Sequence, residues 1–120
     1  MPVVDVCWVG ELPAGDAALT SRMADAIGDA LSVAPGRVWV RLWQLPADHY
    51  AENGGPLPGA LPVFVRVLHA RLPVGAGLKA ELADLTAAIA VASGRPAELV
   101  HVEYAPAGAG RMAFGGRLVE

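Results

Sequence analysis

The residue of this chain best suited to chemistry is a proline directly after the initiator methionine. A small second residue permits removal of Met1, and that would leave Pro2 as a free secondary amine held rigid by its ring. An ordinary α-amino group titrates at about 7.7–8.0, and apolar burial lowers that value because the cation is disfavoured. Such a nitrogen is a neutral general base near neutral pH. The other reading of Pro2 is structural: a proline can open an edge strand, where its missing N–H costs nothing. At the level of sequence both readings stand.

Other chemistries find less support. Cys7, His49, His69 and His101 lack the paired spacing of a metal site, so no metal is expected, and no cofactor either. The glycine-rich pieces lack the Gly-x-x-x-x-Gly-Lys-Ser/Thr pattern of a phosphate-binding loop. The only lysine, Lys79, falls inside a helical pattern, and residues 107–110 (Ala-Gly-Ala-Gly) read as a loose turn.

The elements that must position Pro2 emerge from an internal repeat. Pro2-Val3-Val4-Asp5-Val6 lines up with Pro62-Val63-Phe64-Val65-Arg66 at an offset of 60. Ala26-Ile27 aligns with Ala88-Ile89, and Val38-Trp39-Val40 with Val100-His101-Val102, at 62. Gly54-Gly55 aligns with Gly115-Gly116 at 61. The 120 residues therefore read as one domain, with repeat one over 2–58 and repeat two over 62–118.

Each copy has the same internal order. Residues 3–9 are rich in β-branched side chains and predict a strand. Asp16 is a candidate N-cap for a helix whose apolar stripe is Leu19, Met23, Ile27 and Leu31, ended by Ala34-Pro35-Gly36. Residues 37–43 alternate, with Val38, Val40 and Leu42 on one face and Arg37, Trp39, Arg41 and Trp43 on the other. The second copy predicts a strand over 63–70, a helix with Leu78, Leu82, Leu85, Ile89 and Ala92 inward, a stop at Gly94 and Pro96, and a strand over 99–105. Strand–helix–strand units with short connections imply parallel pairs joined by right-handed crossovers. The expected fold class is α+β: two tandem β-α-β units forming a four-stranded sheet with two helices on one face.

Composition sets the context. Nine Lys and Arg against twelve Asp and Glu leave a net charge of −3, so nucleic acid has no electrostatic attraction to the chain. Hydrophobic residues make up 54%, yet no run of about 18 apolar residues occurs, and no membrane span is expected. One cysteine cannot form an internal disulfide, and the amino terminus carries no secretion signal; a reducing, cytoplasmic setting is expected. A small domain holds only part of so much apolar surface. The sheet face bearing Trp39, Arg41, Trp43, His101 and Glu103 should be covered by other copies of the chain, and the Gly-Gly tails should form hairpins that reach a neighbour.

Together, the Met-Pro start, the apolar first strand and the tandem unit of about 60 residues resemble the tautomerase superfamily over the whole chain. Residues 40–50 (Val-Arg-Leu-Trp-Gln-Leu-Pro-Ala-Asp-His-Tyr) with Gly54-Gly55 resemble fused members such as the cis-3-chloroacrylic acid dehalogenases. Gly94-Arg95-Pro96, Val100-His101-Val102 and Met112-Ala113-Phe114-Gly115-Gly116 are similar to the macrophage migration inhibitory factor branch, and each half is similar to single-copy 4-oxalocrotonate tautomerase.

The resemblance implies a homotrimer in which Pro2 shuttles a proton between carbon and oxygen of a small carboxylate substrate. Pro62, placed as its counterpart, is locked in a peptide bond. The resemblance also implies a carboxylate clamp by Arg71, from its own chain or a neighbour, with His69 as a weaker substitute; the other reading of Arg71 is a solvated loop arginine. Arg41 stands two positions from the family's strand arginine and is read either as a substrate ligand or as the partner of Glu103 across an interface. His101 corresponds to a pocket-lining or interface position, and Tyr50 and Met112 to an apolar wall near the proline or to plain packing. The dehalogenases' water-activating carboxylate, tyrosine and first-helix histidine are matched here by Phe114, Glu103 and Leu31. The implied activity is therefore keto–enol tautomerisation of a 2-oxo or 2-hydroxydienoate acid. A hydratase or dehalogenase acting on unsaturated acids, and a non-catalytic trimeric binding protein, are the alternatives.

Overall fold

Alternation of β-branched residues makes β1 (Pro2–Val9) a strand with two unlike faces. Pro2, Val4, Val6 and Trp8 are turned one way and are buried, while Val3, Asp5 and Cys7 are turned the other. A computed structural model of the chain describes residues 1–55, 59 and 61–120. The expected end of repeat one at residue 58 lies outside them. After β1 come α1 (Leu19–Ala30), β2 (Trp39–Leu45), β3 (Val63–His69), α2 (Gly75–Ser93) and β4 (Val100–Tyr104). A short hairpin closes the chain, β5 (Ala113–Phe114) and β6 (Arg117–Leu118).

β1 runs parallel to β2 and antiparallel to β3, and β3 runs parallel to β4, so the sheet order is β2-β1-β3-β4. This is the four-stranded sheet expected from two β-α-β units, and the antiparallel β1–β3 pairing between the units makes it mixed. Met23 and Ile27 of α1 and Leu85 and Ile89 of α2 are fully buried against Val4, Val6, Val63, Val65 and Val67. Both helices thus cover one face and build one core. Among the described residues no helix is long and apolar enough to cross a membrane.

Four details depart from expectation. Asp16 does not cap α1: the cap position is Ala18, without a side-chain bond, and Asp16 instead holds Arg22 through both carboxylate oxygens, at 3.0 and 2.7 Å. Leu82 is exposed, and Glu81 takes the inward place one residue earlier. Positions three and four residues before Leu85 both lie on its side of a helix, and packing chose the second. The repeat offset of 60 would equate buried Val4 with Phe64, which is 40% exposed on the opposite face. A one-residue slip turns every strand side chain over. β1 and β3 therefore correspond at 61, and Val63, not Pro62, occupies the place of Pro2. Finally, the hairpin at Gly115-Gly116 forms, but it folds onto its own chain: Phe114 stacks on Trp39 with ring centroids 4.6 Å apart. The turn at Asn53-Gly54-Gly55 is followed by no paired strand among the described residues.

Glycine is required where α2 ends. Gly94 adopts φ 75°, and its N–H donates to Ala90 O at 3.0 Å, closing the helix in the left-handed conformation that side chains avoid.

Candidate active site

The antiparallel register sets Pro2 opposite His69, with both side chains on the helix-covered side of the sheet. Directly opposed residues bring their Cβ atoms to about 4.5–5.5 Å. Pro2 is fully buried. His69 Nε2 lies 2.9 Å from Glu81 Oε2, and Tyr104 OH donates to the same oxygen at 2.8 Å. The two partners come from α2 and β4, so three elements converge at the end of the sheet where β1 begins. Burial, with the hydrogen bond to Glu81 and its charge, pushes the Tyr104 phenol well above its ordinary range.

On the other flank the parallel register pairs Val3 with Trp39. Carried two residues back, it sets Met1 level with Arg37. Burial, and then the positive charge of Arg37, hold the terminal amine below its usual range. Gly108 keeps this corner open. A Cβ there would stand 2.6 Å from Met1 Cε and 3.3 Å from both His69 O and Leu68 Cδ1. Met1 is half-buried in this cradle, which its removal would open beside Pro2.

The remaining expected site residues divide between two faces. Arg71 follows β3 by two residues, is exposed, and makes no ion pair among the described residues. It therefore stands, like Arg37, as a cation at the end of a strand flanking β1. Arg41 lies on the open sheet face and grips Asp5 through two bonds of 2.6 and 2.9 Å, with its guanidinium 5.5 Å from the Trp43 ring centre. Glu103 pairs within the chain with Arg66 at 3.5 Å, not with Arg41. Arg41 and Met112 share a cavity of about 310 Å³ on that face with Arg66 and Leu68. His101 lines a second one of about 410 Å³ with Cys7, Trp43 and Phe64, its ring 5.2 Å from that of Phe64. Tyr50 donates to Glu52 at 2.5 Å, and its ring is 6.0 Å from Phe64. Within one chain, Pro2 and His69 are thus brought together, while Arg41, His101 and Met112 lie across the sheet from them.

Arg37, Glu81 and Tyr104 escaped the reading of the sequence as site residues. Glu81 did leave a signal, a carboxylate four residues before Leu85 on an apolar stripe. Among the described residues no three His, Cys, Asp or Glu side chains cluster as metal ligands.

No protein-family model and no curated protein matches the chain. Solved structures do. Pt0534 inactivated by 2-oxo-3-pentynoate superposes with a TM-score of 0.75 at 22% identity, covering 98% of this chain and 94% of that one. The fused 4-OT wild-type symmetric trimer gives 0.71 at 21%, covering 98% and 94%. A member of the cis-3-chloroacrylic acid dehalogenase family gives 0.72 at 21%, covering 98% and 83%. Over nearly its whole length, then, this chain has the fold of the tautomerase superfamily.

Proposed function

We propose that the chain is a keto–enol tautomerase of small 2-oxo or 2-hydroxydienoate acids that works through Pro2 once Met1 is removed. The observation that carries this reading is the amino-terminal end of β1. A buried proline there is flanked by Arg37 on one side and by His69 and Arg71 on the other. The same desolvation and positive charge that lower the Met1 amine act on the Pro2 nitrogen when it becomes the terminus. Lowering its pKa keeps it neutral, and so basic, near pH 7. Arg71 and Arg37 supply planar guanidinium groups that pair a carboxylate bidentately. Inactivation of Pt0534 by a 2-oxo acid supports this substrate class.

The direct test is ketonisation of phenylenolpyruvate by the purified protein, with its intact mass measured in parallel. The expected protein is one methionine short and active. Retained Met1 with no activity overturns the reading in favour of a non-catalytic binding protein.

The flanking cations carry two expected outcomes. Arg71→Ala raises KM by about tenfold or more, since a hydrogen bond to a charged group is worth about 1.5–3 kcal/mol. Arg37→Ala moves the acid limb of the kcat/KM profile to higher pH. The neutral amine is the active form, so activity rises with pH through the amine's pKa, and loss of a neighbouring positive charge raises that pKa. A limb that stays in place or moves down refutes the role of Arg37.

Assembly as a homotrimer belongs to the same proposal. The open face presents Trp43, Cys7, Phe64 and His101 in one row and Arg41, Asp5, Arg66 and Glu103 in the next. Trp43 is 53% exposed and Phe64 40%, an apolar surface that other copies would cover. The fused 4-OT structure is a symmetric trimer. Trp43→Glu is expected to yield monomers by light scattering, because the new carboxylate would be buried without a partner; an unchanged mass would place the interface elsewhere.

A further inference from the structure

The two β-α-β units put corresponding positions into corresponding surroundings, so each unit is a control for the other. Met23 and Ile27 of α1 take the core places that Leu85 and Ile89 take in α2, an offset of 62. At that offset Leu19 corresponds to Glu81, and Leu42 of β2 to Tyr104 of β4. In the strands Pro2 faces His69, and Trp8 faces Val63. The corresponding pairs are therefore Pro2 with Val63 and Trp8 with His69. One end of the core is built from Trp8, Leu19 and Leu42, and the other from His69, Glu81 and Tyr104.

The apolar set shows what the fold asks of these positions. Trp8 is 2% exposed and Leu19 3%. The polar set is nearly as enclosed, with the side chains of His69 and Glu81 12% and 17% exposed. Desolvating a carboxylate where leucine serves is a cost that hydrogen bonds only offset. Polar groups placed against the demands of packing mark functional positions. Of the two corresponding triads, the polar one is at the end of the sheet where Pro2 begins. At the opposite end Val63 replaces the proline, and Arg95 seals the corner with its guanidinium 3.9 Å from the Trp8 ring centre.

Building on the tautomerase reading, we propose that His69, held by Glu81 and Tyr104, is the proton relay that serves the substrate's oxygen while Pro2 serves its carbon. Glu81 accepts from Nε2–H in both charge states of the ring, so Nδ1 is the nitrogen that exchanges. Toward the enol, the Pro2 nitrogen takes the C–H proton, and the C–H electron pair becomes the new C=C bond. The carbonyl π pair moves to oxygen, which takes the proton of Nδ1 from the imidazolium. Pro2 is then an ammonium and His69 a neutral imidazole. Transfer of that proton from Pro2 to Nδ1, directly or through water, restores both, and no other reactant is consumed. Ketonisation is the same path reversed. Tyr104, donating to the shared oxygen, fixes the carboxylate and is a positioning residue, as is Glu81.

The experiment measures kcat, KM and their pH profiles for phenylenolpyruvate ketonisation by His69→Gln, Glu81→Gln and Pro2→Ala. A fourth variant, His69→Trp/Glu81→Leu/Tyr104→Leu, carries the residues of the first unit. The groups facing His69 are Glu81 from α2, Tyr104 from β4 and the amino terminus of β1, with Arg37 and Arg71 at the flanking strand ends. His69→Gln is expected to lower kcat by about 10²-fold or more, the scale of general acid–base catalysis, with a smaller change in KM. It should lose the pH limb of the imidazole, and added imidazole should restore part of the rate. Glu81→Gln should lower kcat and shift that limb. Wild-type kcat and pH profile in His69→Gln, with Pro2→Ala inactive, overturn the relay and leave the tautomerase reading intact. A wild-type protein without ketonisation activity overturns the reading and the relay with it. Should His69→Gln fail to fold, the apolar triple variant decides, and wild-type activity in it overturns the proposal.

Discussion

Pro2→Ala is expected to lower kcat/KM for phenylenolpyruvate ketonisation by about 10²–10⁴-fold, the range that a positioned general base contributes. Alanine, like proline, permits removal of Met1, so the variant keeps a free terminal amine. What it loses is the ring, which fixes the direction of the nitrogen's lone pair and packs fully buried beside His69. A primary amine on a rotatable backbone samples many directions, and proton transfer demands one. The loss should appear mainly in kcat, because the flanking guanidinium groups that hold the carboxylate are untouched. The fold should survive, since Val4, Val6 and the rest of β1 keep their pairing on both sides. Equal rates for the two proteins would show that Pro2 is only the first residue of a strand. Intact mass and circular dichroism of the variant separate that result from retained methionine or unfolding.

Arg95→Ala is expected to cost about 2–4 kcal/mol of stability and to lower the melting midpoint by about 10–20 °C. Its Nη1 donates to Leu61 O at 2.8 Å and to Pro62 O at 2.7 Å, just where the chain enters β3. The guanidinium carbon also stands over the Trp8 ring, 3.9 Å from its centre, a contact worth about 0.5–2 kcal/mol. Burial holds the Arg95 guanidinium below its ordinary range, so the group is partly desolvated and leans on these partners. Alanine would leave two carbonyls unpaired and the face of Trp8 uncovered. Because Arg95 sits at the end of the sheet opposite Pro2, the folded variant should keep its kcat. A thermal midpoint within two or three degrees of wild type, about the effect of a 0.5 kcal/mol change, would mean that water replaces the guanidinium without loss.

Much of the architecture was legible because it rests on periodicity. Alternating valines marked β1 and β3, and the four-residue recurrence of Leu19, Met23 and Ile27 marked α1. Gly94 marked the end of α2 because only its backbone adopts φ 75° without strain. Duplication then implied a four-stranded sheet of two parallel pairs, while the order β2-β1-β3-β4 came from the structure. Two departures are slips of a single step. An offset of 60 in place of 61 exchanged Pro62 for Val63, and a helical spacing of three in place of four exchanged Leu82 for Glu81. Local sequence tolerates either choice in each case, and only the facing surface separates them.

The site divides along the same line. That Pro2 could be a base follows from its type and position alone, as does the presence of arginines able to hold a carboxylate. Which side chains surround it does not follow, because partners come from strands and helices distant in the chain. His69 finds Glu81 across twelve residues, and Tyr104 both through that shared oxygen and by ring stacking at 6.0 Å between centroids. Arg41 finds Asp5 across thirty-six, an acid of its own chain that neither reading of Arg41, as substrate ligand or as partner of Glu103 across an interface, included. The sequence by itself determined the elements, their order along the chain and the place of Pro2 at the start of β1, since these depend on local periodicity and residue type. Tertiary structure alone decided which charges meet and which carboxylate turns inward to the histidine opposite the proline, because strand register and helix rotation are settled by packing across the whole core.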